Sequence, residues 1–365
     1  MTLHTAVSST AIRAHVRHGR LLAADELWTL LHCKSSAEIT EFLKGTEAYA
    51  APLQFLDSST AHRGNLEKQL RSSLLKEAEF FVSALDGARR KFFADWLGWF
   101  ETEQLKRVFR FVRSRHIDEQ TLRYKLTPLP CSELDYDALA SCRSYSELLA
   151  ALEKSRYADA VRQPLQRLET GETDSVLEFE TALDHFTEVS VFNDLSALDK
   201  PEGRYLTPLF GSRIDLLNLY ILHRCLLYYD LSPDEIQAAL IPAHYKVTPK
   251  DLSFMAASPP EIYRKYLNER FPYYSAVFAE TREQSERELR LEMRIRRFNN
   301  ASAAKIFRKG TPGFHTTVCY FTLKLHEIED LIRITESVDS GLSPNLAAEH
   351  LIKPVTDGGD FVWQL

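Results

Sequence analysis

One short pattern constrains this chain more than any other, because it is written three times. Ser35-Ser36-Ala37-Glu38-Ile39, Ser144-Tyr145-Ser146-Glu147-Leu148 and Ser258-Pro259-Pro260-Glu261-Ile262 share the form Ser, two residues, Glu, branched apolar residue. Ser-x-x-Glu before an apolar run is a capping box, in which the hydroxyl accepts from an orphan amide at a helix start and the Glu reaches back to another. Glu38 and Glu147 lie 109 residues apart, and Glu147 and Glu261 lie 114 apart. Nearly even spacing makes the pattern architectural: a helical unit of about 110 residues, repeated.

Other landmarks keep the same period. Each box sits in a short helical hairpin and is followed after 10 to 12 residues by a tyrosine, Tyr49, Tyr157 or Tyr273. Between hairpins the apolar spacing predicts pairs of long helices: Asn65–Leu85 with Arg89–Arg115, Val176–Asp194 with Ser212–Asp230, and Ser285–Arg297 with Thr316–Val338. Leu105, Val108, Phe109 and Val112 form one apolar stripe, and Leu216 and Leu331 are the counterparts of Leu105. The third stripe, Leu325, Ile328, Glu329 and Ile332, is less purely apolar. Leu231-Ser232-Pro233 and Leu342-Ser343-Pro344 open helices 111 residues apart, with Ser as cap and Pro at the first turn. Pro130, Pro242 and Pro354 end elements at intervals of 112. Loops are expected at Gln163–Asp174, Asn193–Gly211 and Arg308–Gly313, where Pro and Gly gather.

The fold class expected is all-α, in three pseudo-repeated units with approximate boundaries 1–130, 131–242 and 243–365. The first unit begins in mid-cycle, and three like units can close into a ring or funnel with approximate threefold symmetry. At 365 residues the chain is long enough for two or three domains, and its 44% hydrophobic and 26% charged residues are those of a globular protein. A net charge of −6 does not favour binding to nucleic acid or to an anionic membrane. The five cysteines are scattered without a C-x-x-C pair, which suggests reduced thiols in a cytoplasmic protein and no zinc site. The N-terminus has no signal-peptide core, and the densest apolar run, Ile214–Tyr229, is interrupted by Asp215, Asn218, His223 and Arg224, so any membrane association is expected to be peripheral.

Chemical motifs are scarce. Neither a phosphate loop nor a dinucleotide fingerprint is present, and the 13 glycines leave little material for one. His326-Glu327-Ile328-Glu329-Asp330 begins like a zinc-protease helix but lacks the second histidine. Asp184-His185 is read as the solvated side of a helix. Asn300-Ala301-Ser302 is a sequon, inert in a cytoplasmic protein. Arg287, Arg290, Arg294, Arg296 and Arg297 interleave with Glu283, Glu286, Glu288 and Glu292, the pattern of a solvated, ion-paired helix rather than a nucleic-acid face. Phe92, Phe93, Trp96, Trp99 and Phe100 read as packing. No catalytic residue, metal ligand or cofactor site is expected.

The order of these landmarks resembles the C subunit of the bacterial and archaeal A/V-type rotary ATPases, whose eukaryotic equivalent is the d subunit of the V-ATPase. The residues that carry the resemblance begin with Ile12-Arg13-Ala14, Leu21-Leu22, Ser36-Ala37-Glu38-Ile39 and Leu43-x-x-Thr46. Leu183-Asp184-x-Phe186, Ile214–Tyr220, Leu231-Ser232 and Leu240-Ile241-Pro242 continue it. Leu323-Lys324-x-x-Glu327 through Ile334, and Gly341–Pro344 to Leu351-Ile352, complete it. One departure is that relatives usually carry Arg-Asn where this chain has Glu329-Asp330. The resemblance implies a non-catalytic component, one copy per complex, that seats the central stalk on the membrane proteolipid rotor ring. Such a component links ATP turnover elsewhere to H⁺ or Na⁺ movement. Aligning Leu105, Leu216 and Leu331 makes Gln104, Asp215 and Asp330 one equivalent set and Arg107, Asn218 and Arg333 another, the candidate partner-interface residues. The alternatives are a free-standing helical adaptor, for which failure to co-purify with a rotor ring would speak, and an enzyme or nucleic-acid protein on a helical scaffold.

Overall fold

The computed structural model describes residues 3–57, 62–114, 118–129, 132–173, 175–229, 231–278, 287–309 and 311–356, with side chains from Ser9 and, in the late long helix, from Leu291. Among these residues every regular element is helical. The chain opens with α1 (Leu3–His18), then a hairpin of α2 (Ala24–Leu31), α3 (Ser36–Lys44) and the short α4 (Ala50–Leu53). The first long pair is α5 (Arg63–Ala84) and α6 (Gly87–Ser114), followed by α7 (Glu119–Lys125). A second hairpin, α8 (Tyr136–Ser141) and α9 (Tyr145–Leu152), leads through α10 (Ala158–Glu169) to the long pair α11 (Val176–Asp194) and α12 (Lys200–Tyr228), with α13 (Pro233–Ala239) after it. The third hairpin is α14 (Pro249–Ala256), α15 (Pro260–Arg270) and α16 (Pro272–Ser275). The last long pair is α17 (Arg287–Phe307) and α18 (Phe314–Asp339), before α19 (Pro344–Glu349).

The six long helices touch in a closed cycle. Each pair is joined by a tight connection, while α6 packs on α11, α12 on α17, and α18 returns to α5. α1 lies across α18 and α5, so the first four turns of α18 are covered on all sides, and every residue from Phe314 to Ile328 is buried. A helix apolar or internally bonded all round is a central helix, not a surface one. Three large apolar cores follow the cycle, beside a small fourth one of Ile214, Ile241 and Ala243. One runs from Leu105 to Leu183 and a second from Leu216 to Phe298, while the third joins the N-terminal hairpin and α5 to α18 and the C-terminal segment. α18 ends in a Schellman turn: Gly341 has φ +69°, Leu342 N donates to Ser337 O at 2.9 Å and Gly341 N to Val338 O at 3.1 Å.

Four sequence expectations need correction. Asn193–Gly211 is not a loop: after a 3₁₀ turn at Leu195–Ala197, α12 begins at Lys200. Pro201 sits in its first turn, where the missing amide costs nothing, and Pro208 lies on an exposed face where water can satisfy the freed carbonyl. Leu206, Leu209, Phe210 and Ile214 bury one face and decide the matter. Pro164 likewise lies inside α10, whose face of Val161, Leu165 and Leu168 is buried. The third capping box does not form. Pro259 takes the cap position without a side-chain bond, and Ser258 turns back to donate to Phe254 O at 2.7 Å. Ser35 and Ser144 do accept from Glu38 N and Glu147 N, at 3.3 and 3.1 Å. Their glutamates reach one residue beyond the cap, to Lys34 N and Arg143 N. Complete boxes stand instead at Ser232/Glu235 and Thr248/Asp251. Finally, the third repeated tyrosine is Tyr274, which is buried, and not Tyr273, which is exposed.

Pro130, Cys131, Glu283, Ser285, Glu286 and Gly310 lie outside the described residues, as do the side chains of Arg287, Glu288 and Arg290.

Candidate functional site

On three of the long helices a polar side chain at the aligned position meets a tyrosine from another segment. Four residues before Leu105, Leu216 and Leu331 stand Glu101, Ser212 and Glu327, and each meets a buried tyrosine. Tyr157 donates to Glu101 at 2.6 Å, Tyr274 is 3.2 Å from the Ser212 hydroxyl and 3.0 Å from Asp215, and Tyr49 donates to Glu327 at 2.8 Å. In the first two cases the tyrosine follows the residue it meets, by 56 and 62 positions. Tyr49 instead comes from the N-terminal hairpin, 278 residues before Glu327.

Five of the six residues singled out from the alignment fasten the segment that leaves each long helix, and the sixth, Arg333, pairs with Glu329 and Asp330 on its own helix. Gln104 accepts from Thr127 N at 3.4 Å, and Arg107 donates to Lys125 O at 3.3 Å. Asp215 accepts from Tyr245, Lys246 and Val247 amides at 2.9, 2.8 and 3.2 Å. Asn218 accepts from Ile241 N at 2.8 Å and donates to the carbonyls of Ile241 and Ala243 at 3.1 and 3.0 Å. Asp330 accepts from Ile352 N and Lys353 N at 2.6 and 2.9 Å, with the Arg333 guanidinium 3.5 Å away. Backbone amides buried at a chain reversal need an acceptor, and these side chains supply it. Gln104, Asp215, Asn218 and Asp330 are buried, while Arg107 and Arg333 are partly exposed. Burial outweighs the donated bonds at Asp330 and raises its pKa to about 6.

All six long helices contribute to one cavity of about 490 Å³. Arg71 and Leu75 come from α5; Trp96, Trp99, Phe100, Glu103, Gln104 and Arg107 from α6; Asp184, Thr187 and Glu188 from α11. Leu209, Phe210, Arg213, Leu217 and Tyr220 of α12, Glu292, Ile295, Arg296 and Asn299 of α17, and Thr322, Leu325, His326 and Glu329 of α18 complete it. The wall is apolar at the aromatic cluster of α6 and charged elsewhere.

Most of its charges are already matched. Lys106 bridges Asp184 at 2.6 Å and Glu103 at 3.2 Å, and Arg213 pairs with Glu188. Arg296 spans Glu292 at 2.9 Å and Glu329 at 2.6 Å, and Arg71 holds Glu67 at 2.8 Å. His326 meets Asn300 at 3.1 Å, and burial lowers its pKa to about 4, so it is neutral at physiological pH. Burial raises the carboxyls of Asp184 and Glu188, while Arg296 and its neighbours lower that of Glu329 against the burial penalty.

Of the six aligned residues only Gln104 and Arg107 line this cavity. Sequence reasoning missed Glu188, Arg213, Glu292 and His326 as wall residues. Its one relevant signal was the acid Glu329 within an apolar stripe. Asp184 faces the cavity beside Lys106, and His185 turns away to Ala239 O at 3.0 Å. Arg297 donates to Leu351 O at 3.0 Å, and Arg294 to Val277 O at 3.3 Å, so these members of the basic run serve the fold. Among the described residues no cluster of His, Cys, Asp and Glu is arranged to hold a metal ion, and no helix is long and apolar enough to cross a membrane.

The fold and cavity define a helical, closed-cycle protein whose polar chemistry is spent on holding itself together. Comparison with known proteins assigns it further. Residues 12–350 match the family described as ATP synthase (C/AC39) subunit. The A-type ATP synthase C subunit of Methanosphaera stadtmanae is 22% identical over 355 residues, covering 93% of this chain and 86% of the relative. The A-type ATP synthase C subunit of Methanothermobacter thermautotrophicus is 26% identical over 235 residues, covering 64% of this chain and 58% of that one. The chain belongs to the ATP synthase (C/AC39) subunit family. Its part in such a complex is structural and not catalytic.

Proposed function

We propose that this chain is the central-rotor socket of a rotary V/A-type ATPase, joining the central stalk to the membrane proteolipid ring so that ATP hydrolysis or synthesis is coupled to H⁺ or Na⁺ transport. The observation that carries the reading is the family match over residues 12–350, together with a closed cycle of long helices around a cavity that takes wall residues from all six. On this reading the protein is a funnel of three interlocked pseudo-repeats, with units near 1–130, 131–242 and 243–365. It sits at the cytoplasmic face of the membrane and is held there by its partners. Gln104, Arg107, Asp215, Asn218, Asp330 and Arg333 shape the stalk interface: Arg107 and Gln104 at the cavity wall, the others by fixing the segments that frame it.

Co-expression with the proteolipid ring and the central-stalk proteins tests the proposal. Recovery of a complex containing both is expected, and a protein that associates with neither overturns it. Charge reversal at Arg107 and Arg333 together should weaken stalk docking. Unchanged binding by the double variant would remove both from the interface.

A further inference from the structure

One charge on the cavity wall stands apart. Among the described charged residues that line it, each acid and each arginine except Arg107 has an ion-pair partner. Arg107 is half-buried and donates to the neutral Lys125 carbonyl, at 3.3 Å. Its surroundings do not welcome the charge: burial and the nearby Arg71 both push its pKa down, against weaker support from Glu103 and Glu67. A cation held half out of water beside a second cation is a cost to the isolated fold. Complementary charge from outside would offset it.

We propose that Arg107 is a docking charge, and that the partner entering the cavity presents a carboxylate to it. This rests on the socket reading and adds the chemistry of the occupant: the end of a stalk helix carrying Asp, Glu or a terminal carboxylate, with apolar side chains able to lie against Trp96, Trp99 and Phe100. The guanidinium can take such a group through two parallel N–H bonds. The remaining cavity charges, already paired, set the walls rather than the attraction.

The test uses the full-length protein and the purified central-stalk proteins, with Arg107→Gln, Arg107→Glu and Arg107→Lys. Dissociation constants are measured at low and moderate salt, and melting temperature is measured for each protein alone. Arg107→Gln should bind the stalk about tenfold more weakly, Arg107→Glu more weakly still, and Arg107→Lys between wild type and Arg107→Gln, because an ammonium keeps the charge without the paired bonds. The affinity of Arg107→Gln should also depend less on salt. Alone, Arg107→Gln should melt close to the wild-type temperature, because losing the long bond to Lys125 O is offset by removing a half-buried charge beside Arg71. Wild-type affinity in Arg107→Gln overturns the assignment and leaves the socket reading standing. A fall of several degrees in its melting temperature marks the charge as structural and overturns it too. If wild-type protein does not bind the stalk at all, the socket reading fails and this assignment falls with it.

Discussion

Replacing Glu327 by Gln should destabilise the protein strongly, although the two side chains have the same shape. The carboxylate oxygens of Glu327 serve four donors from three parts of the chain. Tyr49 Oη and Lys324 Nζ reach Oε1 at 2.8 and 3.0 Å, and Leu22 N and Lys353 Nζ reach Oε2 at 2.8 and 3.1 Å. Glu327 is fully buried, Lys324 and Lys353 nearly so, and Lys324 also lies 3.9 Å over the Tyr49 ring. The amide of Gln would turn a donor toward donors and take from the buried Lys324 and Lys353 the carboxylate that they share. Breaking a buried pair in this way costs about 3–5 kcal/mol.

The titration of the same group gives a similar figure. The two lysines and the Tyr49 bond outweigh burial and lower the Glu327 pKa from 4.5 to about 2. At about 1.36 kcal/mol per pKa unit this is worth about 3 kcal/mol at neutral pH. The sign follows from linkage: a depressed carboxyl stabilises above its unfolded pKa and loses that contribution as pH falls through its folded one. The contribution is therefore complete above about pH 5 and decays toward pH 2, with about 2 kcal/mol gone by pH 3. Urea denaturation followed by circular dichroism at pH 7, 4.5 and 3 measures the gap between wild type and Glu327→Gln. A gap below about 1 kcal/mol at pH 7, or one that stays constant down to pH 3, would refute the reasoning.

Three further outcomes are expected. Asp330 titrates the other way: burial raises its pKa from 3.8 to about 6, so it favours the fold below pH 3.8 and loses that contribution as pH rises through 6. Asp330→Asn should thus gain on wild type by about 1–3 kcal/mol between pH 4 and pH 7, and a pH-independent difference in urea stability would contradict this. Gly211→Ala would place a Cβ 2.5 Å from Tyr245 Cγ and 2.8 Å from its Cβ, while Tyr245 N is held by Asp215, so no retreat is open. Overpacking should outweigh the better helix propensity of Ala and lower stability by about 1–2 kcal/mol, read as a lower melting temperature; a stabilised variant would contradict the packing. Ser35→Ala and Ser144→Ala should each cost about 1 kcal/mol in urea denaturation and Ser258→Ala much less, since only the first two hydroxyls cap; equal costs would restore the third box.

The all-helical class and four of the six long helices were legible because periodicity acts over many residues, while α12 begins twelve residues before the expected Ser212 and α17 runs ten beyond the expected Arg297. Val176–Asp194 matches α11 to the residue, and α5 and α6 differ from expectation by one or two residues at each described end. The punctuation was not legible. Pro201, Gly203, Pro208 and Gly211 read as a loop because their local preference is strong, yet the buried face of α12 overrode it. Ser258 read as a cap because its spacing was right, and Pro259-Pro260 moved the helix start by one residue. The alignment found the six polar positions, and the structure gives each an internal partner. Whether a buried Asp faces a ligand or a backbone amide depends on a segment 20 to 30 residues away, which one-dimensional spacing does not place. The cavity was illegible for the same reason: Arg213 and Glu188, or Arg296 and Glu329, meet only after the helices pack.

The first capping box and its tyrosine stand at a seam in the cycle. Tyr157 and Tyr274 tie their hairpins to long helices that lie just before them in the chain, α6 and α12. Tyr49 ties the N-terminal hairpin to α18, 278 residues later. The cycle is therefore closed by side chains where elsewhere it is continuous backbone. That seam is dense in polar bonds: Glu327 with its four donors, Tyr320 bonded to Glu77 at 2.7 Å with Arg17 at 2.9 Å, Ser36 on Asp339 at 2.6 Å, and Arg63 on Glu336 at 3.0 Å. Apolar packing alone resists separation but tolerates sliding, whereas buried charge-assisted bonds fix register. A closed cycle shears most easily at the joint that the backbone does not cross, and at Glu327 the chain concentrates the bonds that resist it.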